Sequence, residues 1–458
     1  MPDVLVQKFG GTSVDTAEHR ALAAGKVIAA KDAGFAPVVV VSAIGRRGAP
    51  YATDTLVEAL RGIDPTSPPH AREMDMMMAC GEIISTAVMS ATLQSMGYPA
   101  IALSGGQAGI ITDGEYGNAR ILSIHPHSIR KAIERGQIPV VCGFQGVTSV
   151  TEEAEHGSIT TLGRGGSDTT ASALGAALNA VGVEIYTDVD GVKTADPDMV
   201  PNARTLDVCT YEEVAEIAHQ GAKVVHPRAA EIAMAYGIPL WVKSTFSDLP
   251  GTRISSSEEV PEEVRSRVTG VTHTGKLAFI RLEISNEAHK PVVEQEVYRI
   301  MARADIHILL VTFSATGFSF AVDRSAYPIA RDLLDGMVVP VAVDSSTRPA
   351  GTCYIFKFSD GQDFAYRNQR PLLQGLESFM EVVDVPGSAF ENGTIVSVIA
   401  GSHRRVPGVM ATIYETLSNA GIPIHQVADS DMSISCLVPE NEAARSVRLL
   451  HDRFGLGS

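Results

Sequence analysis

The chain of 458 residues has only five cysteines, Cys80, Cys142, Cys209, Cys353 and Cys436, widely separated and with no CxxC pair. An odd count at such spacings argues against a disulfide framework and a zinc site, leaving the thiols as small buried hydrophobes. Basic residues are in the minority, 37 Lys and Arg against 53 Asp and Glu, for a formal charge of −16. A nucleic-acid partner needs clustered cations that outweigh nearby acid, so none is expected. No run of about 20 uninterrupted apolar residues suggests a membrane helix, and the opening MPDVLVQKFGG lacks the features of a secretory leader. The cytoplasm is therefore the expected compartment. Two familiar phosphate motifs are also missing, since neither a GxxxxGK[ST] P-loop nor a complete GxGxxG occurs at the glycine turns.

What is present is globular composition, 45% apolar and 20% charged. At roughly 150 residues per domain the length suggests about three units. From residue 4 to about 245, short apolar runs (Val4 to Phe9, Pro37 to Ser42, Ala100 to Ser104, Ile138 to Cys142, Ile185 to Asp188, Leu240 to Ser244) alternate with Ala-rich helical stretches. The runs lack polar alternation, as strands buried on both faces do, so the expected fold is α/β with a mostly parallel sheet sandwiched by helices. Asp15 and Glu18 suggest a capping box for a helix through Ala30, ended near Gly34.

The pattern changes after Pro250-Gly251. Residues 256–270 read as a polar linker, and 271–343 as a β-α-β-β-α unit of ferredoxin-like type, with Val293, Val297, Ile300 and Met301 on one helix face. A second such unit covers 393–458, implying an internal duplication. Between them, 344–392 fits neither copy and suggests an insertion, with YIFKFS, Asp360-Gly361 and QDFAY as a hairpin. The second unit lacks a final strand after Phe454-Gly455-Leu456, as expected if the two units share strands.

Three motifs carry chemistry. Lys8-Phe9-Gly10-Gly11-Thr12-Ser13 ends a buried strand and enters a helix. Such a turn lets backbone N–H groups reach phosphate oxygens while the lysine supplies charge, although a plain strand-to-helix turn is the alternative. Thr161 to Thr170 contains Gly163-Arg164-Gly165-Gly166-Ser167-Asp168 at a helix start. Its glycines free the backbone to wrap an anion, and Arg164 offers a bidentate fork. Asp168 has a competing reading as a helix N-cap, but a carboxylate beside an anion site also suits orienting a lysine. Tyr186 to Pro197 (YTDVDGVKTADP) places Thr187 and Asp188 at a strand end, the ligand-facing edge of an open α/β sheet. Asp190-Gly191 there has a turn as its alternative, and the spacing excludes an EF-hand. Ser42, Thr53, Glu82, Lys223 and His226 are weaker signals, each more often structural when taken singly.

KFGGTSV, GRGGSDTTA, YTDVDGVKTADP and GAKVVHPR, in this order and at these separations, resemble the aspartate kinase branch of the amino-acid kinase family. The match is specific over 1–255, an amino-acid kinase catalytic domain, and the paired C-terminal units resemble ACT regulatory domains. The resemblance implies transfer of the ATP γ-phosphoryl group to the side-chain carboxylate of L-aspartate, in lysine, threonine and methionine synthesis. Carried over residue by residue, Lys8 and Asp168 are catalytic. Ser42, Thr53, Glu82, Arg164, Gly165, Gly166 and Ser167 surround aspartate, while Lys8, Phe9, Gly10, Gly11, Thr187, Asp188, Lys193, Asp196 and Lys223 face ATP. No dedicated protein metal site is expected, Mg²⁺ being carried with ATP. Lys193 stands where many relatives have tyrosine, and Asp198 where many have arginine, which moves the expected cationic phosphate contact to Lys193. Feedback by lysine, threonine or diaminopimelate, through loops near 285 to 293 or 402 to 408, and a homo-oligomer paired through ACT units complete what the family implies.

Overall fold

Apolar residues facing both ways along the same strands determine the architecture of the first half. The computed structural model describes all residues except 1, 65–66, 150–156, 222–223, 285, 315, 343–350, 359–380, 402–405 and 458. The chain begins β1 (Val4–Phe9), α1 (Ala17–Asp32), β2 (Ala36–Val41), α2 (Thr53–Arg61), α3 (Ala71–Ser95) and β3 (Ala100–Leu103). A smaller excursion follows, with β4 (Ile110–Thr112), β5 (Ile121–Ile124), α4 (His127–Glu134), β6 (Ile138–Cys142), β7 (Gln145–Thr148) and β8 (Ile159–Thr161). Then come α5 (Gly166–Leu178), β9 (Gly182–Thr187), β10 (Val208–Thr210), α6 (Tyr211–His219), α7 (Pro227–Tyr236), β11 (Leu240–Ser244) and β12 (Thr252–Ser255).

The main sheet has the order β10-β12-β11-β9-β1-β2-β6-β3 and is parallel except where β12 meets β11. Val6, Val38, Val40, Val183 and Ile185 pack on one face with Leu174 of α5, Val214 and Ile217 of α6 and Ala230 of α7. Phe9, Val39, Val41 and Val140 pack on the other with Ala23 and Val27 of α1 and Met89 and Leu93 of α3. This is the helix-covered parallel sheet expected from the unbroken apolar runs. A separate sheet, β5-β4-β7-β8, was not legible in the sequence, because its strands are only three or four residues long.

Two local expectations change. The N-cap of α1 is Thr16, whose hydroxyl accepts the His19 N–H at 3.1 Å, while Asp15 bonds the His19 ring instead. A hydroxyl one residue nearer the helix displaces the expected Asp15/Glu18 box. The 25-residue α3 is long and apolar enough to cross a membrane by length and composition, although no uninterrupted apolar run marks it in the sequence. Here it packs on β3, β6 and β8, and buries Asp75 and Glu82.

The second half begins with a short α8 (Glu262–Arg265), inside the stretch expected as linker, and β13 (Val268–Glu283). It continues with α9 (Lys290–Arg303), β14 (Leu309–Ser314), β15 (Gly317–Asp323), α10 (Tyr327–Leu334), β16 (Val338–Ala342), β17 (Gly351–Phe358) and β18 (Glu381–Ala400). It closes with α11 (Val409–Asn419), β19 (Gln426–Asp429), β20 (Ser433–Pro439) and α12 (Ala443–Arg453). The 16-residue β13 and 20-residue β18 pair antiparallel, so both ferredoxin-like units belong to one sheet. The segment 344–392 differs from the insertion expected. YIFKFS lies largely in β17, which pairs antiparallel with β16 and parallel with β18, and Tyr354, Phe356 and Val385 join the core of the first unit. QDFAY and Asp360-Gly361 lie outside the described residues.

The two halves meet along α6. Thr210 caps this helix in a reciprocal box with Glu213, each side chain accepting the other's backbone N–H at 2.8 to 3.1 Å. The second carboxylate oxygen of Glu213, a fully buried residue, accepts the Thr269 hydroxyl of β13. Ser433 donates to Glu216 at 2.5 Å and Ser397 to the Gln220 side-chain oxygen at 2.8 Å. Losing the cap alone, in Thr210→Ala, is expected to cost about 1 kcal/mol of stability. Glu213→Ala is expected to cost about 2–4 kcal/mol, because it also leaves the buried Thr269 hydroxyl without its acceptor. Urea unfolding of the two variants checks this, and equal losses would mean that Glu213 does not tie the halves together.

Candidate active site

In the main sheet β1 pairs with β2 on one side and β9 on the other, so the chain switches direction at its carboxyl end. Open α/β sheets bind ligands at such a switch point. Phe9 lies opposite both Val41 and Tyr186, and the Phe9 and Tyr186 rings stack with centroids 4.8 Å apart. The Phe9 side chain is therefore core, and only its backbone is left to face a ligand. Beyond it, the Gly10 N–H donates to Tyr186 O and the Gly45 N–H to Gly11 O, at 3.2 and 3.1 Å. A Cβ on Gly11 would lie 2.6 Å from Gly45 O, so this close backbone crossing requires glycine.

From this turn Lys8 Nζ reaches Asp168 Oδ1 at 2.7 Å, with side chains 11% and 12% exposed. Asp168 is not the N-cap of α5. That position is Gly165, left-handed at φ +66, and Asp168 in the first turn has its other oxygen bonded by the His226 N–H at 3.3 Å. A Cβ on Gly165 would fall 2.1 Å from the His226 ring, so the GRGG turn packs directly on the turn that starts α7. Burial holds the His226 imidazole below its ordinary pKa. The same GRGG region is anchored from α3, where fully buried Asp75 accepts from Thr161 N–H and hydroxyl at 2.8 Å and Gly117 N–H at 2.9 Å.

Around the pair lies a cavity of about 990 Å³ whose walls include Lys8, Gly11, Ser42, Thr53, Glu82 and the run Arg164 to Asp168. All residues expected to surround the acceptor are thus brought together. Arg46, Arg47 and Arg61 stand at the same cavity, together with Asp54 and Glu58, and Arg47 pairs with Glu58, so the walls carry both signs of charge. Glu82 is 3% exposed; Oε1 accepts the Ala43 N–H at 3.0 Å, while buried Oε2 has no hydrogen-bond partner. Burial pushes its pKa up from 4.5 to about 8, opposed by the Ala43 N–H. The ligand-free group therefore keeps its proton near neutral pH, and a cation from a ligand beside it favours the ionised form.

A second cavity, of about 610 Å³, is lined by Thr187, Asp188, Lys193, Asp196, Ile217 and Val224. Thr272, His273, Thr274 and Gly275 of β13 form its far wall. Lys193 Nζ donates to the Thr205 hydroxyl at 2.8 Å, and Asp196 Oδ1 accepts the Asp198 N–H at 2.9 Å. Lys223 lies outside the described residues. Arg46 at the first cavity pairs with Asp188 at the second, Nη2 to Oδ2 at 2.6 Å, so the two spaces share a border. Among the described residues no cluster of three His, Cys, Asp or Glu could hold a metal ion.

Sequence reasoning missed Arg46, Asp75 and the β13 wall. Arg46-Arg47 in the irregular Gly45 to Pro50 loop was a usable signal, being adjacent cations in an acidic chain. Nothing local marked Asp75, whose partners lie 42 and 86 residues away, or the wall lent by the other half.

A buried Lys–Asp pair at a sheet switch point, between a cavity lined by charges of both signs and a second cavity behind YTDVDG, suits a phosphotransferase of the kind that activates small acids. The sequence model of the amino acid kinase family matches residues 3–244, and that of the ACT domain residues 396–454. The chain is 38% identical to the aspartokinase of Mycolicibacterium smegmatis, over 99% of this chain and 96% of the relative. It is 37% identical to aspartokinase 1 of Bacillus subtilis, over 99% of each. The chain belongs to the amino acid kinase family, on its aspartokinase branch. Among solved structures, E. coli aspartokinase III in complex with aspartate and ADP has the same fold, with TM-score 0.70 and 22% identity over 98% of this chain and 99% of that one. The Clostridium acetobutylicum aspartate kinase gives 0.69 and 18% over 99% and 100%.

Glu82 yields a pH prediction. Between about pH 4.5 and 8 the folded protein retains a proton that the unfolded chain has released. The Glu82 contribution to stability must then fall as pH rises through this window, by up to about 1.4 kcal/mol per unit. Glu82→Gln should flatten this part of the urea-midpoint profile and stabilise the ligand-free protein near pH 8. Parallel profiles for the two proteins would show that the carboxyl is not perturbed.

Proposed function

We propose that this chain transfers the γ-phosphoryl group of ATP to the side-chain carboxylate of L-aspartate, giving 4-phospho-L-aspartate and ADP. The observation that carries this reading is Glu82, a buried carboxylate with one unpartnered oxygen, sharing a cavity with Lys8 and Arg164. An acceptor with one ammonium and two carboxylates matches that set. Glu82 takes the ammonium, Arg164 the α-carboxylate, and Lys8 faces the carboxylate that reacts. Ser42, Thr53 and Ser167 add hydroxyls, and Gly165 and Gly166 give backbone access to the same acceptor.

The chemistry needs little proton handling. A carboxylate oxygen, already ionised at neutral pH, attacks Pγ as the bond from Pγ to the departing ADP oxygen breaks, so no general base is required. This accounts for Asp168 being committed to Lys8 instead of standing free. Lys8 then meets the negative charge that moves across the transferring phosphoryl group. The nucleotide occupies the second cavity, with Thr187, Asp188, Lys193, Asp196 and Lys223 around it and Gly10 and Gly11 towards its phosphates. A Mg²⁺ ion would be carried on those phosphates without a dedicated protein site, and it would supply charge neutralisation there.

The reaction opens lysine, threonine and methionine biosynthesis, and the C-terminal ACT units make it feedback-regulated. The effector in this reading is lysine, threonine or diaminopimelate, acting in the cytoplasm on a homo-oligomer. Exposed Leu309, Val311 and Phe313 on edge strand β14 suit pairing between ACT units of two subunits. The loops proposed for effector contact include residues 285 and 402–405, which lie outside the described set. E. coli aspartokinase III has been solved with lysine and aspartate, in keeping with an amino-acid effector.

The test is ATP-dependent formation of acyl phosphate, trapped as hydroxamate. Product is expected with aspartate, and turnover only with glutamate or its N-acetyl form would move the chain to a sister activity. Running the assay across lysine, threonine and diaminopimelate identifies the effector. Lys8→Ala should lower kcat by about 3 kcal/mol of transition-state stabilisation and leave KM values near wild type. A change confined to KM would remove Lys8 from the chemical step.

A further inference from the structure

The loop that carries Lys193 and Asp196 is held from behind by the C-terminal unit, through one threonine. Thr194 is fully buried between these two cavity residues. Its N–H donates to Arg204 O at 3.0 Å and its carbonyl accepts the Val271 N–H of β13 at 2.8 Å. Its hydroxyl lies 3.2 Å from Leu456 O, 3.4 Å from Arg204 O and 3.0 Å from His451 Nε2. His451, on α12, is itself 0% exposed. The contacts lie 257 and 262 residues away in sequence, so they are made only when the C-terminal unit is docked.

Both carbonyls can only accept, so the single hydroxyl proton of Thr194 serves one of its three neighbours. Given to Leu456 O or Arg204 O, it leaves His451 Nε2–H as the donor; given to His451 Nε2, it leaves the ring protonated at Nδ1, 3.9 Å from Asp452 Oδ1. In either tautomer the Thr194–His451 hydrogen bond is made across the seam. Apolar packing backs the same attachment. Ala195 and Val200, flanking Asp196, belong to one core with Val271, Val409, Ile413, Leu450 and Leu456. An isolated β-bridge between Ala203 and Gly457 extends the seam to the last described residue.

We infer that His451 is a positioning residue for the nucleotide: through its hydrogen bond with Thr194 it fixes the Lys193–Asp196 loop, so that the docked C-terminal unit sets the affinity for ATP. This rests on the second cavity being the nucleotide site. It differs from a general stabilising role because it acts on one substrate. Aspartate is bound through Lys8, Glu82 and the GRGG turn, none of which touches His451 or Thr194 in the structure. It also gives the regulatory half a route to ATP affinity that does not pass through the acceptor pocket.

The experiment uses the full-length chain and measures Mg-ATP binding by calorimetry alongside steady-state KM values. His451→Leu is expected to weaken ATP binding and raise the ATP KM roughly tenfold with the aspartate KM unchanged, as fits one lost buried hydrogen bond. His451→Gln, whose amide can donate or accept near the Nε2 position, should restore ATP binding to within about threefold of wild type by the same reasoning. Thr194→Val removes the hydroxyl instead and should reproduce the ATP defect; the double variant should be no worse than either single one. Should His451→Leu fail to fold, Thr194→Val and His451→Gln still decide the matter. An unchanged ATP affinity in His451→Leu or Thr194→Val, or ATP and aspartate KM values that rise together, overturns the inference while wild-type ATP binding leaves the function standing. Absence of ATP binding by the wild type would overturn the nucleotide reading and this inference with it.

Discussion

The contact between Lys8 and Asp168 is the constraint on which the rest of the site depends. Two opposite charges almost nine-tenths buried, 2.7 Å apart, persist only if each is held in register by the surrounding backbone. On the lysine side that register comes from β1 lying between β2 and β9, with Phe9 stacked on Tyr186. On the aspartate side it comes from the left-handed Gly165 and from the His226 N–H. The four sequence motifs are therefore the two ends of one ion pair and the turns that hold them. KFGG supplies the cation, GRGGSD the anion, VVHP the N–H that orients it, and YTDVDG the strand end alongside.

The pair also separates two environments. The first cavity sets Lys8, Arg46, Arg47, Arg61 and Arg164 beside Asp54, Glu58, Glu82 and Asp168, with one Glu82 oxygen buried and unpartnered, and in the proposed reading this mixed set suits a zwitterionic amino acid. The other cavity is bounded partly by β13, a strand of the regulatory sheet. The two halves are thus joined at this second cavity, through Thr272 to Gly275, Thr194 and the polar contacts along α6. The first cavity is lined by the first half alone. In the proposed reading, that asymmetry gives the C-terminal half a physical path to the nucleotide and not to the acceptor.

Much of this was readable in the residues. Unbroken apolar runs gave the helix-covered parallel sheet, and the glycine turns pointed to Lys8 and Arg164, which the fold brings to one cavity. Less legible was whatever depended on distant partners. Asp168 left two readings open, helix N-cap or partner of a lysine, and the fold decides between them, with Gly165 at the cap position and the carboxylate on Lys8. Asp15 yields its cap to Thr16 because the hydroxyl lies nearer the helix. The segment 344–392 resembled an insertion because β17 finds its parallel partner beyond residue 380, where no local period could reveal it. His451 carried no motif at all, and its meaning comes from Thr194 on the opposite side of the chain.

The most direct measurement of the central claim is single-turnover phosphoryl transfer from Mg-ATP to aspartate by Asp168→Asn, with ADP and aspartate binding measured separately. Asparagine keeps the shape and an oxygen for the His226 N–H but removes the charge that holds Lys8. The account predicts transfer slower by about a hundredfold or more, on the scale of losing one preorganised electrostatic contact, with both ligands still bound. Transfer at the wild-type rate, or a loss explained wholly by weaker binding, would contradict it.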